Sequence, residues 1–265
     1  MASMSAAEHA PYIDELIENG FTKISFDLTD SINQLIVDLK ELTYQQTQKK
    51  ISTLDDAHLA LDEDKINNFR LGAIKLINTS AFKNNFIEKI SPFFSSVLGE
   101  DLAYQKNLNL ILVAPQDKTS ILPLHADTWT GHSRYELAIL FPLTAILPAQ
   151  NMFILPLPAW RKCRDQIGNA QNLQKLTESL SGNFHQLNLK PGEALIFWHN
   201  LPHGNKINQS QQTHWSINLR FKNIFTPYKE KGLGDYFIPY KLSRFNEFVF
   251  KESTYESKNS RLHYK

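Results

Sequence analysis

His214-Trp215-Ser216-Ile217-Asn218-Leu219-Arg220-Phe221 alternates polar and apolar side chains without a break. Successive side chains of a β-strand point to opposite faces. The stretch therefore predicts a strand with an apolar face (Trp215, Ile217, Leu219, Phe221) and a polar face that ends in an arginine (His214, Ser216, Asn218, Arg220). Two readings are open. The strand is either wet on one side of an antiparallel sheet, or its polar face lines a barrel cavity, where burial demands hydrogen-bond partners such as a ligand. Gln105–Val113 repeats the pattern, with Gln105, Asn107 and Asn109 opposite Leu108, Leu110 and Leu112.

Working outward, Tyr104 to Tyr228 is a series of short β-rich runs separated by Pro, Gly and Asn: Leu108–Val113, Tyr135–Phe141, Met152–Leu155, His185–Leu189, Ala194–Trp198 and Trp215–Phe221. One helix, Asn169–Leu180, interrupts it. Tyr12 to about Asp101 is helical in pattern, with apolar residues at helix spacing at Ile13, Leu16, Ile17, at Ile32, Leu35, Ile36, Leu39 behind Asp30, and across Ile66–Ile77 and Phe82–Leu98. Helices first and antiparallel strands after predict an α+β protein in which helices support a β-sandwich or barrel. The expected division is a helical support region over 1–103, a β core over 104–228, and a C-terminal segment over 229–265 that acts as lid or packing, within one domain. The polar tail Lys251–Lys265 is expected to be loosely ordered.

Composition narrows the class. Of 265 residues, 42% are hydrophobic and 21% charged, which excludes general disorder. A net charge of +1 gives no footprint for nucleic acid or an anionic membrane. The single cysteine, Cys163, excludes a disulfide framework and a cysteine zinc site, and points to a reducing cytoplasmic setting. Leu137–Trp160 is uncharged and long enough to cross a bilayer, but Pro142, Pro148, Pro156 and Pro158 would break a helix repeatedly, so it reads as buried strands and turns.

Three elements could carry chemistry. His125-Ala126-Asp127 follows the apolar segment Ile121–Leu124, and residues two apart on a strand face the same way, so both could reach one cation. A chance His near a surface Asp is the competing reading. His203-Gly204 follows the apolar run Ala194–Trp198, where a His can face a cavity while the backbone turns tightly. His199 is a rival for that role. The third element is the alternating strand with Arg220.

In this order, His-x-Asp, a distal His and then an Arg, the sequence resembles the Fe(II)/2-oxoglutarate-dependent oxygenases. It is most similar to their phytanoyl-CoA-dioxygenase-like branch, on His203-Gly204-Asn205-Lys206-Ile207-Asn208. Leu122-Pro123-Leu124-His125-Ala126-Asp127-Thr128-Trp129-Thr130-Gly131-His132-Ser133 and Trp198…Leu201-Pro202-His203-Gly204-Asn205 resemble oxygenases of bacterial carbohydrate and aminosugar gene clusters. The resemblance covers about Tyr104–Tyr228 and implies a double-stranded β-helix, the jelly-roll or cupin-like core, with supporting N-terminal helices.

It also implies a site. His125, Asp127 and His203 would hold Fe(II) on one face and leave adjacent positions for 2-oxoglutarate and O2. Arg220 would grip the far carboxylate of 2-oxoglutarate, with Ser216 adding a hydroxyl and Asn107 or Asn109 orienting cosubstrate or substrate. Trp129, His132 and Tyr135 would line the substrate pocket, or else pack structurally. Asp127 occupies the position that is a small residue in family halogenases, so hydroxylation is favoured over halogenation. The function implied is oxidation of 2-oxoglutarate to succinate and CO2, coupled to hydroxylation of a sugar, nucleotide-sugar or similar polar metabolite. Two alternatives stand beside it: a cupin-like metal-dependent sugar isomerase or epimerase, which does not require Arg220, and a non-catalytic sugar-binding jelly roll. The expected partner is a small molecule, with no nucleic acid and no membrane insertion. The aromatic- and glycine-rich segment Lys229–Phe250 reads as a lid, a homodimer surface or packing against the barrel.

Overall fold

The alternating stretch is the middle of the main sheet. In a computed structural model of the chain, which describes residues 6–150, 152–168 and 173–259, the elements run as follows: α1 (Ala6–Asn19), β1 (Phe21–Ser25), α2 (Thr29–Thr47), α3 (Glu63–Thr79), α4 (Ala81–Leu98), β2 (Leu102–Gln105), β3 (Asn109–Val113), β4 (Glu136–Pro142), β5 (Met152–Ile154), α5 (Leu157–Gly168), α6 (Leu173–Ser179), β6 (His185–Gln186), β7 (Glu193–Trp198), β8 (His203–Asn205), β9 (His214–Asn223), β10 (Phe237–Lys241) and α7 (Arg244–Asn259). The antiparallel main sheet has the order β1-β7-β4-β9-β2-β10, with β3 also on β9. A small sheet, β6-β5-β8, lies against it. The chain is α+β.

Both faces of the main sheet are covered, and the sequence shows why. On one face Trp215, Ile217, Leu219 and Phe221 of β9 join Leu137, Ile139 and Phe141 of β4 in a core shared with the helices. Phe94 of α4 stacks on Phe221 with ring centroids 4.1 Å apart, and Phe86 meets Phe141 edge-on at 5.3 Å. On the other face Ala138, Leu140, Leu195 and Phe197 meet Met152 and Ile154 of the small sheet across the interior. Burial on both faces is why Glu136–Pro142 reads as an apolar run rather than an alternating one. The polar face of β9 points into this interior, facing Glu136, Ala138 and Leu140 of β4 through the pairs Glu136↔Lys222, Ala138↔Arg220 and Leu140↔Asn218.

Several elements differ from the expectation. β1 lies inside the helical stretch and pairs with β7 at the edge of the main sheet. α5 was not expected. Of the expected helix Asn169–Leu180, residues 169–172 lie outside the described ones and α6 covers Leu173–Ser179. The strand expected at His185–Leu189 is paired only at His185–Gln186, with an isolated bridge at Leu189. β10 adds a strand to β2 from within Lys229–Phe250, and α7 runs into the tail as far as Asn259; residues 260–265 lie outside the described ones. Among the described residues no helix is long and apolar enough to cross a membrane.

Candidate metal centre

The segment before Asp127 runs antiparallel to β8. His125 N–H donates to His203 O at 3.0 Å, His203 N–H to His125 O at 2.8 Å, and Asn205 N–H to Leu122 O at 2.9 Å. Gly204 permits this approach, since a Cβ there would stand 2.6 Å from Leu122 O and 3.0 Å from Pro123 O. The bridge sets the two imidazoles side by side, with ring centroids 4.4 Å apart.

Each ring is fixed in the same way. His125 Nδ1 lies 2.8 Å from Pro123 O, and His203 Nδ1 lies 2.8 Å from Leu201 O. A carbonyl can only accept, so in the neutral rings the proton sits on Nδ1 and the lone pair on Nε2. Both Nε2 atoms lie 3.9 Å from Asp127 Oδ1. The donor atoms of His125, Asp127 and His203 all fall within 4.8 Å of one another. Burial, partly opposed by Asp127, lowers the His203 pKa to about 4, which keeps this lone pair free near neutral pH.

Asp127 begins a short 3-10 turn, Asp127–Thr130, closed by Gly131 in the left-handed region at φ 89°. The segment after β9 straps this turn, with Glu230 N–H donating to Gly131 O at 3.0 Å and Lys229 Nζ donating to Thr128 O at 3.0 Å. The second carboxylate oxygen of Asp127 faces away from the histidines. Oδ2 accepts from Arg220 Nε at 2.9 Å and from Arg220 Nη2 at 2.6 Å. His199 Nδ1 stands 3.4 Å from the same oxygen. Burial would raise the Asp127 carboxyl, yet His199 and Arg220 outweigh it and hold it well below the usual carboxylate range. Arg220 stays charged, because Asp127 more than offsets the cost of its burial.

Behind Asp127 lies a second buried group: His132, Glu136 and His199. His132 Nδ1 is 2.7 Å from Glu136 Oε2, Ser133 N–H donates to Glu136 Oε1 at 2.8 Å, and His199 Nε2 is 2.6 Å from Ser133 O. A further cation does not suit this cluster, because Glu136 already faces the charges of Arg220 and Lys222. Lys222 is fully buried, its Nζ 3.3 Å from the centroid of the Tyr228 ring. Burial lowers its pKa to about 8, with Glu136 opposing. Two buried acids thus match two buried bases, the arrangement that makes buried charge tolerable.

A cavity of about 140 Å³ opens from the His125–Asp127–His203 group into the space between the sheets. Its inner wall is apolar, formed by Ile111, Leu140, Met152, Leu195 and Phe197, with Asn218 and Arg220 from β9. Among the described residues Arg220 is the cationic side chain on this wall, and its N–H groups are engaged: Nη1 donates to Gln105 Oε1 at 3.0 Å and meets Tyr236 Oη at 3.4 Å.

The other expected site residues scatter. Ser216 is buried on the interior face, with Oγ 2.9 Å from His214 Nε2. Asn109 pairs with Asn218 across β3 and β9, whereas Asn107 is exposed in the turn before β3. Trp129 and Tyr135 are exposed at 43% and 48% and do not line the cavity. His132 is buried against Glu136 behind Asp127, away from the cavity wall. Glu136, Gln105 and Tyr236 were not singled out as site residues. Glu136 carries a signal as an acid heading the apolar run Leu137–Phe141 four residues after a histidine, and Gln105 carries one on the polar face of Gln105–Val113; Tyr236 carries none.

No family model matches the sequence, and no curated protein matches it. Solved structures do match the fold. A nickel complex of the non-heme monooxygenase ThoJ aligns with a TM-score of 0.59 at 12% identity, over 93% of this chain and 96% of that one. EctD from S. alaskensis with bound Fe aligns at 0.55 and 16%, over 85% and 79%. The epimerase SnoN in complex with Fe3+, alpha ketoglutarate and nogalamycin RO aligns at 0.52 and 11%, over 84% and 87%. The chain shares the double-stranded β-helix fold of these non-heme iron enzymes. At such identities the likeness establishes the architecture and leaves the chemistry to the residues.

Proposed function

We propose that the protein is a non-haem Fe(II)- and 2-oxoglutarate-dependent oxygenase. The observation that carries this reading is the convergence of two Nε2 lone pairs, each fixed by an Nδ1–H bond to a carbonyl, on one oxygen of Asp127 at a cavity mouth. Two imidazoles and one carboxylate on one side of a cation are the donor set of non-haem iron oxygenases. At bond lengths of about 2.0–2.2 Å, adjacent ligands lie about 3 Å apart, so small inward movements close the present spacing. With both bound, O2 would be the oxidant, oxidative decarboxylation of the keto acid would supply two of its four electrons and the unactivated C–H bond the other two.

The chain's own residues then have assignable tasks. His125, Asp127 and His203 hold the metal. The apolar wall of Ile111, Leu140 and Leu195 suits the methylene part of a keto acid and excludes water beside the metal. The fit is incomplete at the far carboxylate, because Arg220, expected to receive it, is bound to Asp127. We assign no step to that end. The substrate proposed is a carbohydrate-related small molecule, on the resemblance of Leu122–Ser133 and Trp198–Asn205 to sugar-cluster oxygenases, and hydroxylation is the proposed outcome.

The engagement of Arg220 favours one second reading, a cupin-like metal-dependent sugar isomerase or epimerase that uses no keto acid. Anaerobic addition of Fe(II) and then 2-oxoglutarate separates the two. A weak visible charge-transfer band that is absent in His203→Ala supports the oxygenase. A folded, iron-loaded protein with no band moves the assignment to the isomerase.

A further inference from the structure

We infer that Arg220 is a positioning residue for Asp127, clamping Oδ2 so that Oδ1 alone is presented to the metal, rather than an anchor for a cosubstrate carboxylate. The inference rests on the metal site proposed above and assigns Arg220 a different role from the one its sequence position suggests.

The geometry is one-sided. Asp127 Oδ2 accepts two N–H groups of one guanidinium, at 2.9 and 2.6 Å, with His199 Nδ1 at 3.4 Å on the same oxygen. Oδ1 has neither partner and lies 3.9 Å from both histidine Nε2 atoms. A planar two-pronged donor fixes the carboxylate's rotation as well as its charge, which a point charge does not. The remaining guanidinium nitrogen, Nη1, is taken by Gln105 and Tyr236, and Gln105 is itself held by its Nε2 donating to Asn107 O at 2.7 Å. His199 is anchored from the opposite side by Ser133 O and is fully buried. Arg220 also sits on the rigid centre of the fold, in β9 opposite Ala138 of β4, where the small side chain leaves room for the guanidinium. A cosubstrate carboxylate could gain this arginine only by taking it from Asp127, and Asp127 would then be a buried acid without its cation.

The test is a cobalt(II) titration of metal-free protein with no keto acid present, followed by the visible ligand-field spectrum. It is run on wild type, Arg220→Gln, Arg220→Lys and His199→Gln, with the melting temperature of each metal-free protein as the folding control. Arg220→Gln strips the cation from a buried acid, so Arg220→Lys, which keeps the charge, carries the result should Arg220→Gln fail to fold. The expected result is metal affinity weakened roughly 10–100-fold in Arg220→Gln, the usual loss when an outer partner of a ligand is removed. Arg220→Lys should restore part of it, and the band positions should change in all three variants. Wild-type metal affinity and spectrum in the folded variants would overturn the inference; a second titration, of the cobalt forms with 2-oxoglutarate, would return Arg220 to the cosubstrate if that binding were lost in Arg220→Gln. Wild type that binds no cobalt would overturn the metal site itself, a failure distinguishable from the first.

Discussion

His125 and His203 hold each other in place through the backbone. Each donates its N–H to the other's carbonyl, at 3.0 and 2.8 Å, and each directs its ring nitrogen at the same oxygen of Asp127. Residues far apart in sequence thus become neighbours whose relative position depends on two hydrogen bonds and on the glycine beside them.

Gly204→Ala tests that dependence. The added methyl would meet Leu122 O at 2.6 Å, and the next atoms, Pro123 O and Pro123 C, are also backbone, so the strands must part. Overpacking of this kind costs about 1–3 kcal/mol. The expected outcome is a modest fall in melting temperature with a disproportionate loss of metal affinity, measured by thermal unfolding and cobalt titration on the same preparation. A loss of stability with unchanged metal affinity would contradict the coupling.

The ring tautomers make a spectroscopic prediction. With Nδ1–H of His125 and His203 bonded to Pro123 O and Leu201 O, the cobalt(II) form should show paramagnetically shifted proton signals from both N–H groups. These signals should vanish in D2O and be reduced to one in His125→Ala. The absence of any shifted exchangeable signal would contradict the N–H bonds to Pro123 O and Leu201 O.

Much of this arrangement is legible in the sequence, and the limits have physical causes. The alternation of His214–Phe221 identifies β9 and its interior face, and the apolar run after Glu136 identifies a strand buried on both sides. The residues of His125-Ala126-Asp127 and His203 do converge. β1 escapes notice because Phe21-Thr22-Lys23-Ile24-Ser25 is a short edge strand between two helices, formed by pairing with β7 rather than by local propensity. α5 is hidden by Pro156 and Pro158, read as breakers, although proline is tolerated in the first turn of a helix. The role of Arg220 cannot be read from its strand at all. An arginine on a polar face looks the same whether it awaits a ligand or pairs with an acid brought from another part of the chain.

Acid should destabilise the metal-free protein well above the usual carboxylate range. Burial lowers the pKa values of His203 to about 4 and of His214 to about 3, against 6.5 for a free histidine. The unfolded chain therefore takes up protons first. Stability is complete above about 6.5 and is lost as pH falls through that value toward the folded-state pKa values, with a slope of up to about 1.4 kcal/mol per pH unit for each histidine. Urea midpoints between pH 7.5 and 5 should fall accordingly, and His214→Gln should flatten the slope. A flat profile in wild type would contradict the burial of these neutral rings.

Glu136→Gln should be costly although Glu136 lines no part of the cavity. It leaves buried Lys222 without its facing acid and turns one of the two carboxylate oxygens that meet His132 and Ser133 N–H into a donor. Breaking a buried charge set by removing one partner costs about 3–5 kcal/mol. Chemical denaturation should show that loss, and Lys222→Met in the same background should recover part of it. An effect below about 1 kcal/mol would mean that Glu136 carries no charge in the folded protein.

The most direct test of the central claim is X-ray absorption at the iron edge on anaerobic Fe(II)-loaded protein, with iron content measured on the same sample. The account predicts one iron per chain, imidazole scattering from two histidines, a short oxygen ligand, and loss of iron in Asp127→Ala. Iron that does not load stoichiometrically, or an imidazole signal that is unchanged in His203→Ala, would contradict it.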